Sequence, residues 1–414
     1  MTARVATDSM YRNSVYYMQR RNLELEKVNE QYNTGKKYQS AADSPSNFAS
    51  TMRLEHDIAM YEQYTTNSGY ALDNLTLEET SLSTINEVLD RANVLLQSGV
   101  NGSYSGTELN SISQELKEIQ KQIYDLINTK TATGESIFSG GLSDIDAYIR
   151  LDKGTYVCQA DCSQRFVQAS SSAKIAVSDS AKNFFEHVET ARSVDVKGGL
   201  TFSYSDYQSF ESFYNRNYLT DTDPDTETTK NTYTVTQIGT EYAVTDYSGN
   251  EVARSAAGAK NLNFNGLNFN LENFNLDSIP ENTPTPFFNL ATATNDNVLN
   301  TIGKAIENID KYNNGAITRS EVNNILSQTQ VSIRNTQLSV NTTMTSIGAR
   351  QNTLDNIINA NCEISDVKKE AKATISEVDL YEVTTDLTKT QTYLQMAMTS
   401  FNYVTGTSLF DYIH

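Results

Sequence analysis

Tryptophan is absent from this chain, and only three histidines, three cysteines and five prolines occur among its 414 residues. His56, His187 and His414 lie in three separate segments, so the sequence suggests no histidine-based metal cluster or acid–base pair. Cys158, Cys162 and Cys362 are too few for a disulfide framework. The first two could close one bridge, but a C-x3-C pair with no His or further Cys nearby is a poor zinc site. They are read as unpaired structural residues. Positive charge is also scarce. With 32 Lys and Arg against 51 Asp and Glu, the net charge is −19. That excludes a nucleic-acid backbone and argues against an anionic membrane as partner, because both need a basic surface. No stretch reaches the roughly 18 consecutive apolar residues of a membrane span. The opening "MTARVATDSMYRNSVYYMQRR" lacks the charged, then apolar, then small pattern of a secretory signal. Any export is therefore expected to use another route. The motifs H-E-x-x-H, G-x-S-x-G and G-x-x-x-x-G-K-[ST] are missing too, so no catalytic residue, cofactor or metal is predicted.

The prolines are as informative in their placing as in their number. Pro45, Pro224, Pro280, Pro284 and Pro286 leave residues 46–223 and everything after 286 free of the residue that breaks helix interiors. Helical periodicity fills much of that space. Leu109, Ile112, Leu116, Ile119, Ile123 and Leu126 step by three and four along one face. Leu75, Leu82, Leu89 and Leu96 repeat every seven residues, as do Leu326, Ile333, Val340, Ile347 and Leu354. A seven-residue repeat marks helices packed nearly parallel with slight supercoil. These stripes predict the core of a helical bundle.

Both ends carry thinner seams. Tyr11, Val15, Met18, Leu25 and Tyr32 share one with Asn22 and Asn29; Leu387, Leu394, Met398 and Phe401 share another with Thr384 and Gln391. Leu409, Phe410 and Ile413 extend the apolar character nearly to the last residue. Seams this thin, with amides in them, leave an isolated helix pair marginal. These twelve apolar residues are therefore the predicted assembly interface. Between the first seam and the next helix, Gly35 is expected to break the helix. Ser44 is expected to cap a new one, with Pro45 in its first turn.

The middle alternates instead. "NTYTVTQIGTEYAVTDYSGNEVA" and "LNFNGLNFNL" are Thr-, Tyr- and Phe-rich runs punctuated by Gly239 and by Ser248–Gly249–Asn250, which predicts hairpins. The expected fold is mainly α with a β-rich insertion: a long antiparallel helical bundle built from both ends of the chain, with a β domain projecting from it. The expected division is 1–43 plus 370–414 for the terminal helices, 44–150 plus 288–369 for the bundle with a hairpin, and 151–287 for the outer β domain. One segment offers different chemistry. "DKYNNGAITRSE", Asp310 to Glu321, has most of an EF-hand loop, but Tyr312 stands where an oxygen ligand is wanted and no second loop pairs with it. Asp221-x-Asp223-x-Asp225 imitates only the first half. A calcium-binding helical protein is thus a remote alternative, and a polar helix–helix connection is the expectation.

The ends also carry a resemblance. "NTGKKYQSAADSPSNFAS" resembles the flagellin-family pattern of a first helix, an extended spoke and a long second helix. "SIFSG" at 136–140 is similar to the family's start of a hairpin, and "RVATDSMY" at 4–11 and "SLFDYI" at 408–413 resemble its branch of hook–filament junction proteins. "SAADSP" departs from that branch in lacking a double Asp, and flagellin itself, the alternative, would open and close differently. The resemblance implies a structural, non-enzymatic subunit of the bacterial flagellum. It would leave the cell through the flagellar type III apparatus without a cleaved signal. The implied partners are further copies of itself in a ring-like or helical assembly, hook-associated protein 1 on the hook side and flagellin on the filament side. A cytoplasmic export chaperone is implied at the C-terminal helix.

Overall fold

The computed structural model describes residues 2–101, 104–152, 154–186, 188–197, 200–220, 230–271 and 287–406. The chain is mainly α with a β-rich middle. Its helices are α1 (Thr2–Thr34), α2 (Pro45–Asn101), α3 (Gly106–Ile127), α4 (Tyr207–Asn217), α5 (Val298–Asn313), α6 (Arg319–Ser376) and α7 (Leu380–Gly406). It divides into two compact units: residues 1–69, 168–173 and 355–414 form the first, and 70–167 with 174–354 the second.

In the second unit, the seven-residue stripes do what their spacing predicts. Leu75, Leu82, Leu89 and Leu96 of α2 and Leu326, Ile333, Val340, Ile347 and Leu354 of α6 are all fully buried. The helices run antiparallel, as their flanking hydrogen bonds show. Gln351 Nε2 donates to Glu79 at 2.9 Å, Gln337 Nε2 to Asp90 at 2.7 Å, and Arg319 to the Gly99 carbonyl at 2.5 Å. Helix α3 starts in a capping box between Ser105 and Glu108 and buries Leu109, Ile112, Leu116, Ile119 and Ile123. Its last core residue is Ile127, while Leu126 is half-buried. Gln120, also on the buried face, satisfies its amide on the Leu299 carbonyl of α5 at 2.7 Å.

The hairpin after α3 buries Ile137 and Phe138. It leads to two small ribbons, β1 (Tyr148–Arg150) with β2 (Tyr156–Cys158) and β3 (Phe166–Gln168) with β4 (Lys174–Ala176). The larger sheets follow. Strands β5 (Ser193–Lys197), β7 (Thr232–Ile238), β8 (Glu241–Thr245), β9 (Glu251–Arg254) and β12 (Phe287–Ala291) form one, in the order β5-β12-β7-β8-β9. Strands β6 (Thr201–Tyr204), β10 (Asn261–Phe264) and β11 (Leu267–Asn270) form another. Around α4, Phe210, Phe213, Tyr233, Phe264, Phe269 and Phe288 make an aromatic core, with the Tyr233 and Phe288 rings stacked at 5.1 Å. Val331 of α6 joins that core.

One turn fixes how the smaller sheet meets α4. Asn265 and Gly266 both take positive φ, 45° and 82°, the two-residue hairpin turn that Asn-Gly favours. A Cβ on Gly266 would lie 2.1 Å from the Asp206 carbonyl oxygen and 2.7 Å from the Phe210 nitrogen, both backbone. Gly266→Ala is therefore expected to destabilise the β region by about 2–4 kcal/mol, from strained φ and steric overlap together. Thermal melting checks it. A change under about 0.5 kcal/mol, the range of an ordinary surface substitution, would show the contact to be slack.

The ends of the larger sheet's segment meet. Ser193 pairs with Ala291 at the start of the β5–β12 ladder, and below it the Thr190 N–H donates to the Thr294 carbonyl at 2.8 Å. Deleting 193–291 and joining the ends through a short Gly/Ser linker is expected to preserve helical circular dichroism and cooperative melting. The melting temperature should fall, since Val331 and Asn324, which bonds the Tyr204 carbonyl, lose their cover. Loss of cooperativity would mean that the β region is part of the bundle's own core.

In the first unit, α1 ends at Thr34 because Gly35, with φ +70°, turns the chain out of the helix. The following segment is tied down locally. Tyr38 is buried, its hydroxyl 2.6 Å from that of Thr51. Asp43 accepts from the Ser40 and Gln39 backbone N–H groups, which hold its carboxyl below the usual range. Helix α2 then begins at Pro45, as expected for proline in a first turn. A ladder of ion pairs, Lys372–Glu55 at 2.9 Å, Lys368–Asp57 at 2.6 Å and Lys369–Glu62 at 2.9 Å, aligns the end of α6 with the start of α2.

Candidate assembly surface

Helices α1 and α7, both in the first unit, pack antiparallel. At one end the backbones of Lys36 and Glu377 form an isolated antiparallel β-bridge, and the Val378 N–H donates to the Gly35 carbonyl at 3.0 Å. At the other the rings of Tyr11 and Phe401 lie 5.4 Å apart. Between them the Arg21 guanidinium stacks over Tyr393 at 5.2 Å. The shared seam is thin. From residue 9 to the end of α1 no side chain is fully buried, and in the described part of α7 only Val383 and Thr390 are.

Of the residues predicted from the sequence, Val15, Met18, Leu25, Leu387, Leu394 and Phe401 are half-buried, on the faces where α1 and α7 meet. Tyr11, Tyr32 and Met398 are exposed. Leu409, Phe410 and Ile413 lie outside the described residues, as do His187, His414 and the Asp221–Asp225 stretch.

A second apolar set was not legible as a seam. Tyr16 and Leu23 on α1 stand seven residues apart and exposed, and so do Met396 and Tyr403 on α7; Leu23, Met396 and Tyr403 are 66, 62 and 76% exposed. The signal was there in the same spacing, offset from the main seam. Threonines extend this face. Thr384, Thr388, Thr392 and Thr399 each return the hydroxyl to the carbonyl four residues back, at 2.6–3.0 Å. With the hydroxyl so used, the methyl is left outward, and the helix surface is more apolar than its composition implies. A shallow groove lined by Thr392, Gln395, Met396, Thr399, Ser400 and Tyr403 runs along it. Exposed apolar surface concentrated on one helix pair marks an interaction site.

The EF-hand-like segment is a helix–helix connection. Asp310 accepts from Ser113 Oγ at 3.3 Å and Lys117 Nζ at 3.4 Å, on α3. Glu321 caps α6 by accepting from the Thr318 N–H at 2.7 Å and hydroxyl at 2.8 Å. The loop's first and last carboxylates are thus committed to different partners. Among the described residues no group of three or more His, Cys, Asp or Glu is placed to hold a metal ion. No described helix is long and apolar enough to cross a membrane. Cys158, Cys162 and Cys362 are free thiols.

Comparison with known proteins agrees with this architecture. Residues 5–142 match the family described as the bacterial flagellin N-terminal helical region. That match covers about a third of the chain: helices α1 to α3 and the hairpin that follows them. Two relatives that it resembles are named flagellar hook-associated protein 3. It is 27% identical to the Escherichia coli protein of that name over 169 residues, 41% of this chain and 53% of that one. It is 26% identical to the Salmonella typhimurium protein over 206 residues, 45% of this chain and 65% of that one. The matches thus span about half to two thirds of the length of these relatives. The fold is similar to the crystal structure of flagellar hook-associated protein 3 from Legionella pneumophila, with a TM-score of 0.56 at 19% identity over 78% of this chain and 98% of that one. It is also similar to FlgL from Xanthomonas campestris, with a TM-score of 0.54 at 17% identity over 78% and 99%.

Proposed function

We propose that the chain is a non-catalytic structural subunit of the junction between hook and filament. The observation that carries this reading is the α1–α7 pair, whose seam is half-buried while Tyr16, Leu23, Met396 and Tyr403 present a second apolar stripe outward. Neighbouring copies would cover that stripe in a ring-like or helical assembly. Hook-associated protein 1 would meet it on one side and flagellin on the other. Export would run through the flagellar type III apparatus without a cleaved signal, with a chaperone covering the C-terminal helix until release. The residues proposed for assembly are those of the seam and tail named above, together with the outward stripe. The division into terminal helices, bundle and outer domain assigns assembly to the first of these and surface exposure to the last.

Imaging flagella from a strain lacking the gene tests the role. Hooks without filaments, with flagellin lost to the medium, are expected. Short filaments on intact hooks would instead identify a filament subunit.

A further inference from the structure

Deep in the second unit lies an ionic cluster with no part in the assembly surface. Glu78 of α2 is 1% exposed. Its Oε1 accepts the Asp179 backbone N–H at 2.8 Å, and its Oε2 is buried with no hydrogen-bond partner. Asp179, also buried, pairs through its own carboxylate with the Arg350 guanidinium of α6 and accepts Gln164 Nε2 at 2.6 Å. Arg350 spends its other terminal nitrogen on the Ala176 carbonyl at 3.1 Å. Arg165, flanking β3, is engaged by Glu135 at 2.9 Å and by the Ser136 carbonyl at 3.0 Å. On α2 itself, Glu79 accepts from Gln351 at 2.9 Å. Two buried carboxyls therefore face a guanidinium already committed to one of them. An ionised Glu78 would be a buried charge with one oxygen unpartnered, next to the like charge of Asp179.

We propose that Glu78 is a proton-operated latch: it takes up a proton when the chain folds, and that proton keeps the 174–181 segment closed on α2 and α6. Burial first, and Asp179 second, push its carboxyl from the ordinary 4.5 up to about 8. A group that binds its proton more tightly when folded releases it on unfolding. Its stabilisation is thus complete below pH 4.5 and is lost as pH rises to about 8. The folded chain tightens in acid and loosens in alkali at this point.

The infrared spectrum of the full-length wild type tests the proton directly. A protonated carboxylic-acid band is expected at pH 7 and should fade as pH passes through about 8. No such band at pH 7 would overturn the proposal. The denaturant unfolding constant gives the second test. The ratio of the wild-type constant to that of Glu78→Gln is expected to grow about tenfold per pH unit between roughly pH 5 and 8, one proton's worth. A ratio that does not change with pH would overturn it equally.

Discussion

A chain carrying Leu23→Asp and Met396→Asp is expected to fold as the wild type does and to fail to restore motility to a strain lacking it. Both side chains are exposed, so the free protein loses little burial, and each substitution should shift its stability by no more than about 1 kcal/mol. In an assembly the same two positions would be covered by neighbouring helices. Burying a carboxylate there without a cationic partner costs on the order of several kcal/mol. Every subunit repeats that cost, so assembly should be lost outright. Complementation, with thermal melting of the purified protein as control, checks both halves. Normal motility would move the interface off this stripe, and a large fall in melting temperature would show one of the two to be an internal contact.

The fold was legible where one period governed a long stretch. Leu75 to Leu96 and Leu326 to Leu354 kept a seven-residue repeat long enough to leave no alternative, and all nine are fully buried. Gly35 and Pro45 were legible because their backbone geometry admits few other residues. The aromatic core of the β region was not. Phe210 and Phe213 of α4 meet Phe264 and Phe288 from strands far along the chain, and no local spacing reports such pairing. Nor was Glu78, since one carboxylate among 51 acidic residues becomes special only when Asp179 arrives beside it.

The assembly surface was half legible for a related reason. Hydrophobic spacing finds a helix's apolar side, but a helix packed inside one chain and a helix packed between chains use the same spacing. Leu387, Leu394 and Phe401 read as surface for a neighbour, and the structure puts them against α1 of the same chain. The outward stripe then needs exposure, not periodicity, to be recognised: Tyr16 and Leu23 repeat just as Met18 and Leu25 do. Which set faces inward depends on the antiparallel pairing fixed by Lys36–Glu377 at one end and Tyr11–Phe401 at the other.

Phe401→Asp should therefore differ in kind from the substitutions on the outward stripe. Its ring is half-buried against Tyr11 at 5.4 Å, so the change removes an aromatic contact and part of the burial holding α1 to α7. Together with a carboxylate facing that contact, the loss is expected to be about 2–3 kcal/mol. The pair has little to spare, because residues 9–34 include no fully buried side chain. Amide hydrogen exchange along α1 is expected to accelerate by roughly 30- to 150-fold, the same loss expressed as an opening equilibrium. Exchange at the buried heptads of α2 and α6 should not change, since they belong to the other unit. Motility should be lost as well, because a pair that opens cannot hold the exposed apolar residues of α1 and α7 in one fixed surface. Exchange in α1 equal to wild type would show that Phe401 adds nothing to the seam, and its effect on motility would then have to act between subunits.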